Sequence, residues 1–155
     1  MNNQNSGFMG FVEKLTLPNF NYRDTALLIL RVLSLALIFH GVHKAMGFSA
    51  FVEKAMVPNP IGGLAPTFFT VLVVAGQILL PLALLIGLFS RISGGLLALL
   101  FTFIIFAVNI PSQGLIGKQG GLSFESSLFY FIIGLTIFLS GPGKYSVDHF
   151  LNKSE

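Results

Sequence analysis

The chain has no cysteine and no tryptophan, and only 10% of its 155 residues are charged. Without cysteine it has no disulfide, no thiolate metal ligand and no thiol–disulfide chemistry. Soluble domains typically carry about 25% charged residues, so this chain lacks the polar surface that keeps such a domain dissolved. What it has instead is 54% hydrophobic residues, including 17 Phe, and a mean hydropathy of +0.82. That is the composition of an integral membrane protein, and its length leaves room for one domain. The net charge is +3, but the nine Lys and Arg are scattered singly. With no basic patch, nucleic acid is excluded as a partner. The P-loop, dinucleotide, H-E-x-x-H and G-x-S-x-G signatures are missing as well.

Four apolar runs, at about 25–45, 65–89, 92–110 and 122–140, dominate what is present. Each is close to the ~20 residues that a helix needs to cross a bilayer, where every backbone polar group must be satisfied within the segment. A spanning barrel would need ~10-residue stretches of alternating polarity instead. The sequence therefore predicts an all-α integral membrane protein, a four-transmembrane-helix bundle with an N-terminal interfacial amphipathic helix. That helix falls at Gly7–Leu17, where Phe8, Phe11, Val12 and Leu15 recur at helical spacing before Pro18. No positive charge precedes this interrupted stretch, so it does not read as a signal peptide. A second short interfacial helix is predicted at Ser49–Met56. Ser90-Arg91 alone joins the second and third runs, which demands an antiparallel hairpin. The organisation is a tail at 1–22, a helical domain at 23–151 and a tail at 152–155. With the N-terminus inside, the inner loops hold five Lys or Arg and the outer loops three, which places both termini in the cytoplasm.

Ionisable groups inside spans cost roughly 2.5–3.5 kcal/mol at the bilayer centre, so each needs a reason. Arg31 lies near the inner end of the first run, where its stem can snorkel to the headgroups; the alternative is a partner inside the bundle. His40, His43 and Lys44 share one arc near the outer end. Glu125 opens the fourth run at the same depth, which predicts a Lys44–Glu125 pair. Gln77 stands four residues before Pro81, which kinks the helix and frees the Gln77 carbonyl. Asn109 ends the third run. Two readings follow for His40, His43, Lys44, Gln77, Asn109 and Glu125: a small polar pocket in the outer half, or interhelical hydrogen bonds of ~0.6 kcal/mol each. A metal site would need three or four ligands, and two histidines with one carboxylate do not supply a convincing set. Gly94-Gly95, with Ala98, allow close helix approach.

Arg31, Gly41-x-x-Lys44, Leu84-Leu85-Ile86-Gly87-Leu88-Phe89-Ser90-Arg91, Glu125 and the closing Gly141-Pro142-Gly143-Lys144-Tyr145-Ser146-Val147-Asp148 together resemble the DoxX family of small bacterial membrane proteins. The closing motif is the most specific of these, and it marks Gly141, Pro142, Gly143 and Asp148 as structural residues alongside Arg31 and Pro81. The resemblance implies a four-helix bundle in the bacterial inner membrane and an association with membrane oxidoreductase assemblies. Family members often carry Glu in the second span where this chain has Gln77, a side chain that cannot titrate.

Three functions stand on these observations. The first is a quinone-linked accessory subunit of a membrane oxidoreductase. It has no intrinsic cofactor, so quinone is its ligand and a partner protein carries the redox centre. The second is a scaffold subunit that contacts the lipid bilayer and either a membrane protein partner or further copies of itself. The third is a carrier for a small solute or lipid, for which no internal repeat is visible.

Overall fold

The computed structural model describes residues 22–53, 66–118 and 120–152. The first apolar run forms α1 (Tyr22–Ser34) and α2 (Ala36–Met46), followed by the short α3 (Phe48–Glu53). The break at Leu35 has a local cause. Ser34 Oγ donates to the Arg31 carbonyl at 2.6 Å, the acceptor that the Leu35 N–H would take in a regular helix. The Leu35 N–H turns to Val32 O at 3.1 Å and the Ile38 N–H to Leu35 O at 3.0 Å, so one turn tightens.

The second run forms α4 (Pro66–Ile86), which continues through Pro81. It stops three residues before the expected end at 89. Gly87, at φ 74°, and a Leu88 N–H bond to Ala83 O at 3.0 Å close the helix in a left-handed cap. Residues 87–89 are then the turn of the predicted hairpin, and α5 (Ser90–Phe103) returns antiparallel. It passes into a π-helical stretch (Ile104–Asn109) and a last turn, α6 (Ile110–Gln113). Pro111 has no N–H to return to the preceding turn, and the Ile110 N–H reaches back five residues to Ile105 O. The fourth run forms α7 (Glu125–Ser140), and α8 (Val147–Leu151) follows it. Leu122, expected to open α7, instead pairs with Ile116 in a small glycine-rich loop.

Among the described residues, three helical stretches are long and apolar enough to cross a membrane: Tyr22–Met46, Thr67–Ile86 and Ser90–Gln113. The fourth, α7, is a shorter apolar helix of 16 residues, about 24 Å at 1.5 Å per residue. α1 packs on α4 and α7, α2 on α4, α4 on α5 and α5 on α7. Leu27, Leu37, Val73, Leu97, Phe101 and Ile137 meet in the core. α5 and α7 touch backbone to backbone: a Cβ added at Gly94 would lie 2.8 Å from Gly134 O, and one at Gly134 would lie 2.7 Å from Ala98 N. The close approach expected at Gly94 and Ala98 is made, and Gly134 is its counterpart. Phe39, Leu79, Leu99, Phe106 and Phe129 are exposed on the outside, as a surface facing lipid chains requires. The predicted Gly7–Leu17 helix lies outside the described residues, as do the last residues of the one predicted at Ser49–Met56, whose first part is α3.

Candidate functional site

Gly41 decides how closely α2 approaches α4. A Cβ there would sit 2.6 Å from Ile78 Cγ1 and 3.2 Å from Gln77 Cβ. One turn further on, Lys44 Nζ donates to Gln77 Oε1 at 3.0 Å. Gln77 is only 3% exposed, and the Lys44 ammonium stands 5.4 Å from the centroid of the Phe51 ring on α3. Pro81 leaves the Gln77 carbonyl without its α-helical donor. A cation, an amide and an aromatic ring therefore converge where α2, α3 and α4 meet.

The expected Lys44–Glu125 pair is not formed. Glu125 Oε1 accepts the Leu122 N–H at 2.9 Å, holding its own loop. With Lys118, Ser123 and Gln113 it lines an open polar hollow of about 810 Å³. The reason is the later start of α7, which leaves the carboxylate at the loop, while Gly41 delivers Lys44 to Gln77. Among the described residues, the one ion pair is Lys144 Nζ to Asp24 Oδ2 at 3.9 Å, at the opposite end of the molecule.

The other candidates separate. His40 and His43 lie exposed on the outside of α2, with His40 Nδ1 3.4 Å from Ala36 O. Asn109 Nδ2 donates to Ser127 Oγ at 3.2 Å, tying the π-helical stretch to α7. The six residues thus form a Lys44–Gln77 pair, an Asn109–Ser127 pair and a loop carboxylate, with both histidines outside them. Sequence reasoning missed Ser127, although Ser123 and Ser127 stand four apart at the start of an apolar run. It also gave no role to Phe51, which lies within the helix predicted at Ser49–Met56. Among the described residues, no three His, Asp or Glu side chains gather as a metal site would require.

The opposite end holds a second polar cluster, built on the closing motif. Gly141 and Gly143 take φ of 82° and 66°, conformations that favour glycine, and Pro142 stands between them. Arg23 Nη2 donates to Ser140 O, and the Lys144 N–H donates to Asp24 Oδ1 at 3.1 Å. Asp148 accepts the Phe89 N–H at 2.8 Å and the Ser90 N–H at 2.7 Å. Arg31 does not snorkel to headgroups: it is 1% exposed, and its Nη1 donates to Tyr145 O at 3.1 Å. The closing motif packs on it instead, and Arg31 Nη1 lies 2.9 Å from the position a Cβ on Gly87 would take, at the α4–α5 turn. Arg31 Nε and Nη2 and Ser90 Oγ are buried without a hydrogen-bond partner among the described residues.

A groove of about 600 Å³, lined by apolar residues such as Phe69, Leu72, Gly76, Leu80, Leu96 and Phe103, opens between α4 and α5.

The family model described as DoxX matches residues 26–110, more than half of the chain. The protein is a member of the DoxX family. The matched stretch of this DoxX protein holds Arg31, Lys44, Gln77, Pro81 and Asn109 and ends before Glu125 and the Gly141–Asp148 motif. Searches of curated proteins and of solved structures return no match.

Proposed function

We propose that this DoxX protein is a quinone-linked accessory subunit of a membrane oxidoreductase, receiving the quinone headgroup beside Lys44, Gln77 and Phe51. The observation that carries the reading is the Lys44 ammonium, 3.0 Å from Gln77 Oε1 and 5.4 Å from the Phe51 centroid. Among the described residues it has a hydrogen-bond acceptor but no carboxylate partner. A quinone carbonyl asks for a donor of this kind, and its ring for an aromatic neighbour. The apolar groove, lined by Gly76 next to Gln77 in sequence, suits an isoprenoid tail. The chain has no cysteine, and in this reading a partner protein carries the redox centre.

In this reading α7 is the fourth crossing, extended by the flanking loop residues, and 23–151 is the membrane domain between two tails. An even number of crossings puts both ends on one side. The Lys and Arg bias makes that side the cytoplasm of a bacterial inner membrane.

The test is native mass spectrometry of gently extracted protein, followed by solvent extraction and quinone detection. Stoichiometric quinone in the wild type, lost in a folded Lys44→Met variant, supports the reading. Wild-type protein without quinone sinks it.

A second reading, a scaffold subunit docked to a membrane protein or to another copy, is favoured by the outer face of α2. Phe39 and Met46 are 78% and 83% exposed there, with His40 and His43 between them in sequence. Buried against a partner, the two imidazoles would find hydrogen-bond acceptors that lipid chains lack.

A further inference from the structure

Among the described residues, the charges at the Arg31 end do not balance. Its described cations are Arg23, Arg31, Arg91 and Lys144, and its carboxylates are Asp24 and Asp148. Both carboxylates are engaged by backbone donors: Asp148 holds the Phe89 and Ser90 N–H groups, and Asp24 holds the Lys144 N–H. Lys144 alone approaches an acid, at 3.9 Å. None of the three guanidinium groups has a carboxylate within 4.0 Å among the described residues.

Two of the three converge on one peptide unit. Arg23 donates to Ser140 O, the end of α7. The Arg91 Nε and Nη2 lie 3.1 and 3.3 Å from the position a Cβ on Gly141 would take. A guanidinium has five donors; Arg23 spends one here, and Arg91 spends none within the described residues. Both are exposed, so their donors are open to a ligand. The partial negative charge at the C-terminal end of α7 is about half an elementary charge, too little to neutralise two arginines. Ile92 and Leu139, the sequence neighbours of Arg91 and Ser140, are exposed apolar side chains. A fork of guanidinium donors beside exposed hydrocarbon, at the end of apolar helices, matches a phosphate that carries acyl chains.

We infer that Arg23 and Arg91 form a binding site for the phosphate of an anionic phospholipid at the C-terminal end of α7. The site lies at the opposite end from the Lys44–Gln77 pair and does not depend on any role for it.

The test is native mass spectrometry of the delipidated full chain with an equimolar mixture of phosphatidylglycerol and phosphatidylcholine. One phosphatidylglycerol per chain is expected in preference to phosphatidylcholine. A juxtamembrane cation is worth about 1 kcal/mol toward anionic lipid, so each arginine contributes about fivefold to that preference. Arg91→Gln removes no hydrogen bond from the described fold and is expected to lower the preference about fivefold while the unfolding temperature in detergent stays unchanged. Arg23→Gln plus Arg91→Gln is expected to abolish it. Equal binding of the two lipids by the wild type overturns the inference, and so does an undiminished preference in folded Arg91→Gln protein. Inorganic phosphate at millimolar concentration is the control for source. If it displaces phosphatidylglycerol, the site takes a free anion and the lipid assignment fails.

Discussion

Asp148 caps Ser90. Its carboxylate takes the Ser90 N–H at 2.7 Å and the preceding Phe89 N–H at 2.8 Å. Phe89 cannot cap α5 itself: it has no side-chain acceptor and sits at φ 48°, a left-handed conformation that is rare for a bulky residue. The start of α5 is therefore completed by the far end of the chain, which ties the α4–α5 turn to the closing motif.

Asp148→Ala is expected to destabilise the protein by about 1–3 kcal/mol, the cost of a lost cap and of donors left without an acceptor. Asp148→Asn keeps one acceptor oxygen and should lose less. Unfolding in detergent checks both, and wild-type stability in Asp148→Ala would remove the cap from the account.

Lys44 and Gln77 are expected to couple in a double-mutant cycle of Lys44→Met and Gln77→Leu. Interhelical hydrogen bonds in membranes average about 0.6 kcal/mol and reach about 1.7. Gly41→Leu, which drives α2 from α4, should reduce that coupling to zero. A coupling that survives Gly41→Leu would mean that the pair does not depend on this close approach.

Gly134→Val forces apart two helices whose backbones are in contact, and overpacking of this kind costs about 1–3 kcal/mol or more. The expected outcome is a fall in the monodisperse fraction and in the unfolding temperature, with Gly134→Ala intermediate. Unchanged behaviour of Gly134→Val would contradict the α5–α7 packing.

A reporter fused after Lys153 is expected to be active in the cytoplasm, and one inserted after Lys118 on the opposite side. Periplasmic activity of the first fusion would reverse the orientation drawn from the Lys and Arg bias.

Composition and run length by themselves determined that this is a helical membrane protein. A nearly uncharged stretch of about 20 residues has few ways to satisfy its backbone in a bilayer other than a helix. The short link between the second and third runs likewise determined the hairpin, although the turn falls at 87–89 and Ser90-Arg91 open α5, and Gly94 with Ala98 determined one side of a close helix contact. Polar partners were another matter. The Lys44–Glu125 expectation rested on run ends placed at one depth, and depth does not say which residues face each other. Only the packed structure decided that Gly41 brings Lys44 to Gln77, that Glu125 stays with its own loop, and that Asn109 meets Ser127. The same holds for Arg31, enclosed by residues 114 positions away, and for Asp148, which caps a helix 58 positions upstream. Periodicity reports the face that a residue occupies on its own helix. The azimuth of the neighbouring helix, and the path of a closing segment held together by backbone donors, are set by tertiary packing.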